Sequence, residues 1–181
     1  MRSHKFWFVV DVLLGLLVAL TGIVELATFT RGHPAVQTYG KFAYTIEWPA
    51  KCNADEDAYV RDPEGHIVYF AAKENAGMHL ESDDIPGHAG YADGNPNFER
   101  VVVRIVVPGE YTFNIQTYNT YDCGHTTVRA QLWRLAGDDT LLYSRDVVMK
   151  GWGDEETAFR ASLHEDGGVS GINLLQRSLI R

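Results

Sequence analysis

The sequence is short of cysteine and has no excess of positive charge. Cys52 and Cys123 are the only two cysteines in 181 residues. They stand in neither C-x-x-C nor zinc-ligand spacing, which excludes a zinc ribbon or a thioredoxin-type redox centre. Lysine and arginine number 16 against 24 acidic residues, a formal charge of -8. An acidic chain without a basic patch excludes nucleic acid and anionic lipid as principal partners. The seven histidines are scattered, and no H-x-x-H or H-E-x-x-H places two of them on one metal. No G-x-S-x-G or similar nucleophile motif occurs, so neither an enzyme activity nor an organic cofactor is expected.

One long hydrophobic run is present. From Phe6 to Thr28 the chain reads FWFVVDVLLGLLVALTGIVELAT, about the 20 apolar residues a helix needs to cross a bilayer. A cleaved signal peptide is the alternative; the length of the run and the lack of a clean small-x-small site favour an uncleaved anchor. Arg2 and Lys5 precede the run and offset Asp11 and Glu25, leaving the negative charge after residue 28. The positive-inside rule therefore places the N-terminus in the cytoplasm and the remainder outside, which in a bacterium with two membranes is the periplasm. The expected organisation is a cytoplasmic tail over 1–5, a transmembrane helix over 6–28, a connector over 29–40, a domain over 41–165 and a C-terminal segment over 166–181.

Asp11 is the most informative residue of the anchor. An aspartate inside a span costs on the order of 3 kcal/mol to insert, so it normally faces protein or water. Asp11, Gly15, Val18, Gly22 and Glu25 recur at intervals of four and three residues, one stripe of a helix. Glycines on such a stripe let another helix approach closely, so Gly15, Val18 and Gly22 are the expected packing surface. The competing reading has both carboxylates snorkelling to the two headgroup regions.

The run Phe6-Trp7-x-x-x-Asp11-Val12-Leu13-Leu14-Gly15-Leu16-Leu17 resembles the membrane helix of the ion-driven motor family. That family includes the flagellar stator subunit MotB, the transport-energising ExbD and TolR, and the B subunit of the Zorya defence system. The resemblance implies a homodimer whose two helices sit inside a pentamer of a polytopic MotA-, ExbB- or TolQ-like protein. It also implies that Asp11 carries the ion, taking a proton from one side and releasing it to the other. Each charge crossing supplies about 2.3 kcal/mol per 100 mV, enough to drive mechanical work by repeated cycling. The load would be an unknown periplasmic target.

Beyond residue 40 the apolar pattern has a period of two. Strands are expected over 41–48, 56–61, 66–72, 99–106, 110–118, 126–135, 139–149 and 156–163. In the fifth, Tyr111, Phe113 and Ile115 alternate with Thr112, Asn114 and Gln116, as in a strand with one apolar face. Asp62-Pro63-Glu64-Gly65 and Pro108-Gly109 are turn chemistry. Eight such strands without helical periods between them predict an all-β fold, an antiparallel β-sandwich of jelly-roll or immunoglobulin-like type. The closing stretch INLLQRSLIR is compatible with a short helix or a last strand.

The stretch from Asn53 through Asp55, Asp57, Val60 and Asp62-Pro63-Glu64-Gly65 resembles the signature of pre-peptidase C-terminal-like sandwiches. Asp83-Asp84, Gly90-Tyr91, Val101 to Val107 and Pro108-Gly109-Glu110-Tyr111-Thr112-Phe113 continue the pattern over roughly residues 43–120. The chain departs from it at Gly94-Asn95-Pro96-Asn97-Phe98-Glu99, where Gly-Pro-Glu is usual. The resemblance implies a domain that binds, spaces or tethers. Asn53, Asp55, Asp57 and Asp62, joined by Asp83 or Asp84, offer the oxygen ligands Ca²⁺ takes; the alternative is a solvated loop whose side chains cap turns. Cys52 and Cys123 each follow a predicted strand, and a disulfide between them is expected if the domain lies in an oxidising compartment. The function expected is therefore the B-type subunit of a proton-motive-force-driven 5:2 motor. The alternative is an anchored binding or accessory subunit that moves no ions, and the weakest is a secreted sandwich.

Overall fold

The structure is a computed structural model that describes residues 40–84, 97–121 and 123–180. The predicted span, with Asp11, Gly15, Val18, Gly22 and Glu25, lies outside the described residues. Among the described residues no helix is long and apolar enough to cross a membrane.

The described residues form an all-β domain of eleven strands. They are β1 (Phe42–Glu47), β2 (Asp55–Arg61), β3 (Ile67–Val68), β4 (Glu74–Asn75), β5 (Met78–Ser82) and β6 (Phe98–Val103), followed by β7 (Gly109–Asn119), β8 (Thr126–Arg134), β9 (Thr140–Met149), β10 (Glu155–Leu163) and β11 (Val169–Asn173). One sheet has the order β4-β5-β6-β1-β8-β9 and the other β11-β10-β7-β2-β3. Every ladder is antiparallel. Seven of the eight predicted strands are present over most of their length, and that over 66–72 is reduced to the two residues of β3 and a tight turn with a Tyr69–Ala72 bridge; the antiparallel all-β reading is borne out. Three short strands, β4, β5 and β11, were not predicted individually.

The core lies between the sheets and follows the alternation. Tyr111, Phe113 and Ile115 of β7 are fully buried and meet Phe42, Tyr44 and Ile46 of β1, Val101 and Val103 of β6, and Phe159 of β10. At its centre Phe113 packs on Phe159 at 4.7 Å between ring centroids and on Tyr44 at 5.1 Å, distances at which aromatic pairs add to simple burial.

The polar face of β7 is not in water, as strict alternation predicts. Thr112 and Asn114 are buried, and the chain after β11 is bonded to Asn114. Asn114 donates to the Arg177 carbonyl at 2.7 Å, the Arg177 N–H donates to Thr157 Oγ1 at 2.9 Å, and the Leu179 N–H donates to Glu155 Oε1 at 2.6 Å. The C-terminal segment thus holds a strand, β11, paired with β10, and then an irregular strap held by side chains. The strap satisfies only part of this face, since Thr112 Oγ1 and Asn114 Oδ1 are buried without a hydrogen-bond partner.

Polar contacts also join the sheets at two flanks. Arg145 of β9 reaches the Thr157 and Ala158 carbonyls of β10 at 3.3 and 2.8 Å, where the β7–β10 ladder shifts register. Glu99 of β6 reaches the backbone of β2 on the other flank.

Candidate carboxylate site

The second flank is built around an incomplete strand edge. β3 pairs with β2 only at Val60 and Arg61, so the first part of β2 has a partner on the β7 side alone. The Ala58 N–H on the vacant side would be a buried orphan donor. It donates instead to Glu99 Oε2 at 2.6 Å. Glu99 stands in register with Val101 and Val103, the inward positions of β6, and is fully buried.

Three carboxylates converge here from separate segments. Asp57 of β2, Asp83 just after β5 and Glu99 of β6 place oxygens within 4.8 Å of one another. Asp55 and Asp57 share a cavity of about 220 Å³ with Asp83, Asp84, Phe70 and Tyr118. An aromatic ladder flanks it: Tyr59 stacks on Tyr69 at 4.9 Å, Tyr69 meets Phe70 edge-on at 5.3 Å, and Phe70 meets Tyr118 at 5.6 Å. Lys73 pairs with Asp83 at 2.5 Å.

The electrostatics follow from burial. Desolvation, with Asp55, Asp83 and Glu56 nearby, pushes the Asp57 carboxyl up to about 8. Desolvation and Asp83 raise Asp55 to about 6. Glu99 is raised well above the carboxylate range by burial and then by Asp57, with the Ala58 hydrogen bond opposing. Glu56, one residue away but turned into the core, is raised by burial to about 8 although Thr117 and Thr126 hydrogen bonds favour its charged form. Asp57 Oδ2 and Glu99 Oε1 are buried and accept no hydrogen bond. An arrangement of this kind can hold protons or a cation.

The structure brings together only part of the predicted ligand set. Asp55 and Asp57 line the cavity with Asp83 and Asp84, whereas Asn53 and Asp62 do not. Asp62 sits at the opposite end of β2, where it closes the Asp62–His66 turn. Its Oδ1 accepts the His66 N–H at 2.8 Å and its Oδ2 lies 2.9 Å from His66 Nδ1. That is the turn-capping role weighed against calcium. Glu99 was missed by sequence reasoning, and its spacing from Val101 and Val103 was the available signal.

Cys52 and Cys123 are joined in a disulfide with Cα atoms 5.5 Å apart. Thr126 Oγ1 of β8 lies 3.2 Å from Cys52 Sγ. The bridge ties the segment before β2 to the segment after β7, the two strands that pair at Asp55 and Asn119. The chain matches no protein-family model, and no curated protein or solved structure is significantly similar to it.

Proposed function

We propose that this chain is a membrane-anchored binding module, held outside the cytoplasm by the segment over 6–28 and serving as an accessory subunit of a larger membrane complex. The observation that carries this reading is the Cys52–Cys123 disulfide. Such bridges persist in oxidising compartments, in agreement with the orientation read from Arg2 and Lys5. The sandwich offers a recessed carboxylate pocket for recognition rather than a nucleophile for catalysis. The pre-peptidase C-terminal-like resemblance points the same way. Alkylation of intact cells followed by mass spectrometry tests it: both cysteines are expected to take label only after reduction, and the chain to remain in the membrane through carbonate washing. Free thiols in untreated cells, or release by carbonate, would overturn it.

A second reading is favoured by Asp11 and its stripe with Gly15, Val18 and Gly22. It makes the chain the B-type subunit of a proton-motive-force-driven motor, a dimer within a pentamer of a polytopic partner, with the sandwich engaging a periplasmic target. Asp11→Asn then abolishes function while membrane insertion and assembly persist, and the complex purifies as five partner copies to two of this chain. Normal function of the Asp11→Asn variant excludes this reading and leaves the anchored module standing.

A further inference from the structure

We propose that Asp57, Asp83 and Glu99, with Asp55 beside them, bind one calcium ion that clamps the two sheets together. The proposal concerns the described domain and goes beyond the anchored-module reading; it stands or falls whether or not the chain belongs to a motor.

Two buried oxygens that accept no hydrogen bond carry the inference. Asp57 is 4% exposed and Glu99 fully buried, yet Asp57 Oδ2 and Glu99 Oε1 accept no hydrogen bond. Buried carboxyl oxygens that accept no hydrogen bond are rare in stable proteins, and a bound ion is one of the established reasons they are tolerated. Asp57 and Glu99 belong with Asp83 to a group in which each residue places one carboxylate oxygen within 4.8 Å of the others. Calcium binds oxygens at about 2.3–2.6 Å, so ligands on opposite sides of it stand about 5 Å apart, and this spacing needs no collapse.

The donor set selects the ion. All the ligands are hard carboxylate oxygens, which suit calcium, magnesium or manganese and not the softer metals. Magnesium demands a tighter octahedron and gives up its waters reluctantly. Three carboxylates on two strands and an adjoining segment make a wider, strongly anionic cage of the calcium kind. The fold also explains why an ion belongs at this flank. β2 lacks a neighbour strand beside Asp57, and an ion held by β2, β6 and the end of β5 would tie that free edge to the opposite sheet. Lys73 lies against Asp83 but is half exposed.

The test uses the full-length chain in detergent, stripped with EDTA and titrated with calcium chloride by calorimetry, with thermal unfolding followed in parallel. One calcium per chain is expected, with affinity at least about tenfold above that for magnesium. Saturating calcium is expected to raise Tm by about 5 °C, the scale set by ligand linkage for a domain of this size. Asp57→Asn and Glu99→Gln should each weaken calcium binding by about tenfold or more while remaining folded without metal, because each puts a neutral amide of the same shape in place of a carboxyl that burial already disfavours in its charged form. Asp83→Asn, on a less buried side chain, gives the same reading if either of those fails to fold. Glu64→Gln, in the separate turn group of Asp62, Glu64 and His66, should bind like the parent. The proposal is overturned if the folded parent chain shows neither saturable heat nor a Tm shift with calcium. It is equally overturned if Asp57→Asn and Asp83→Asn bind calcium as the parent does. Stabilisation by Glu99→Gln in a parent indifferent to calcium would identify a proton-sharing cluster instead.

Discussion

Glu99 on one sheet accepts a 2.6 Å hydrogen bond from the Ala58 N–H on the other. A side chain thereby supplies what a neighbouring strand would have supplied, because β3 ends before it reaches Ala58. The same placement draws Glu99 towards Asp57 and Asp83, and the crowding of carboxylates has consequences that can be measured.

The first is an inverted pH dependence in the presence of a chelator. In the unfolded chain carboxyls ionise near their ordinary value of about 4. In the fold Asp55 is raised to about 6, and Glu56 and Asp57 to about 8. Across that window the native state keeps protons that the unfolded chain has released, so stability falls as pH rises. Glu56 and Asp57 each cost on the order of 1.4 kcal/mol per pH unit within their window, and the more exposed Asp55 less, because solvent screens it. Thermal unfolding in EDTA is expected to give the highest Tm on the acid side and a steady fall towards neutrality and above. A Tm that climbs over the same range would contradict the burial of these acids.

The disulfide should carry a large share of the stability. Cys52 and Cys123 are 71 residues apart, and closing a loop of that size restricts the unfolded chain by about 4 kcal/mol in the entropic account. The double variant Cys52→Ser and Cys123→Ser is expected to unfold at markedly lower urea with its secondary structure intact beforehand. Equal midpoints for oxidised and reduced protein would show that the bridge contributes nothing.

A smaller effect is expected at the β4–β5 turn, a two-residue hairpin whose central positions, Ala76 and Gly77, both have positive φ, 45° and 82°. Asparagine tolerates that conformation better than alanine, and Asn-Gly is the preferred pair for this turn. Ala76→Asn should therefore stabilise by about 0.5–1 kcal/mol. Gly77→Ala should do the opposite, since a Cβ there would stand 2.6 Å from Ile105 Cβ. Urea denaturation of the two variants beside the parent separates these signs.

The architecture was legible where a strand is long and its sequence alternates. β8 is buried at every second position from Thr126 to Leu132, and the period needs no knowledge of partners. β5 was missed although Met78 and Leu80 point inward on either side of His79, for five residues between turns are too few to separate from a loop. That omission mattered, since β5 delivers Asp83. The site was only half visible for a related reason. Asp55 and Asp57 advertise themselves as an acidic pair, but pairing of β5 and β1 with β6, and packing of β6 under β2, decide that Asp83 and Glu99 join them. Asp62 looked like their companion by proximity in the chain, yet five extended residues of β2 carry it to the far end of the strand.

Arg145 and Glu99 fasten opposite flanks of the sandwich to main-chain groups of the facing sheet. The apolar core between them fixes how close the layers lie, but burial is non-directional and tolerates sliding. Two directional anchors at separated points leave neither translation nor swivel, much as two dowels locate one plate on another. Tyr44 of the aromatic centre adds a third, donating its hydroxyl to the Asn114 carbonyl of β7 at 3.3 Å, so the meeting of Asp57, Asp83 and Glu99 depends on directional polar contacts as well as on the packed rings.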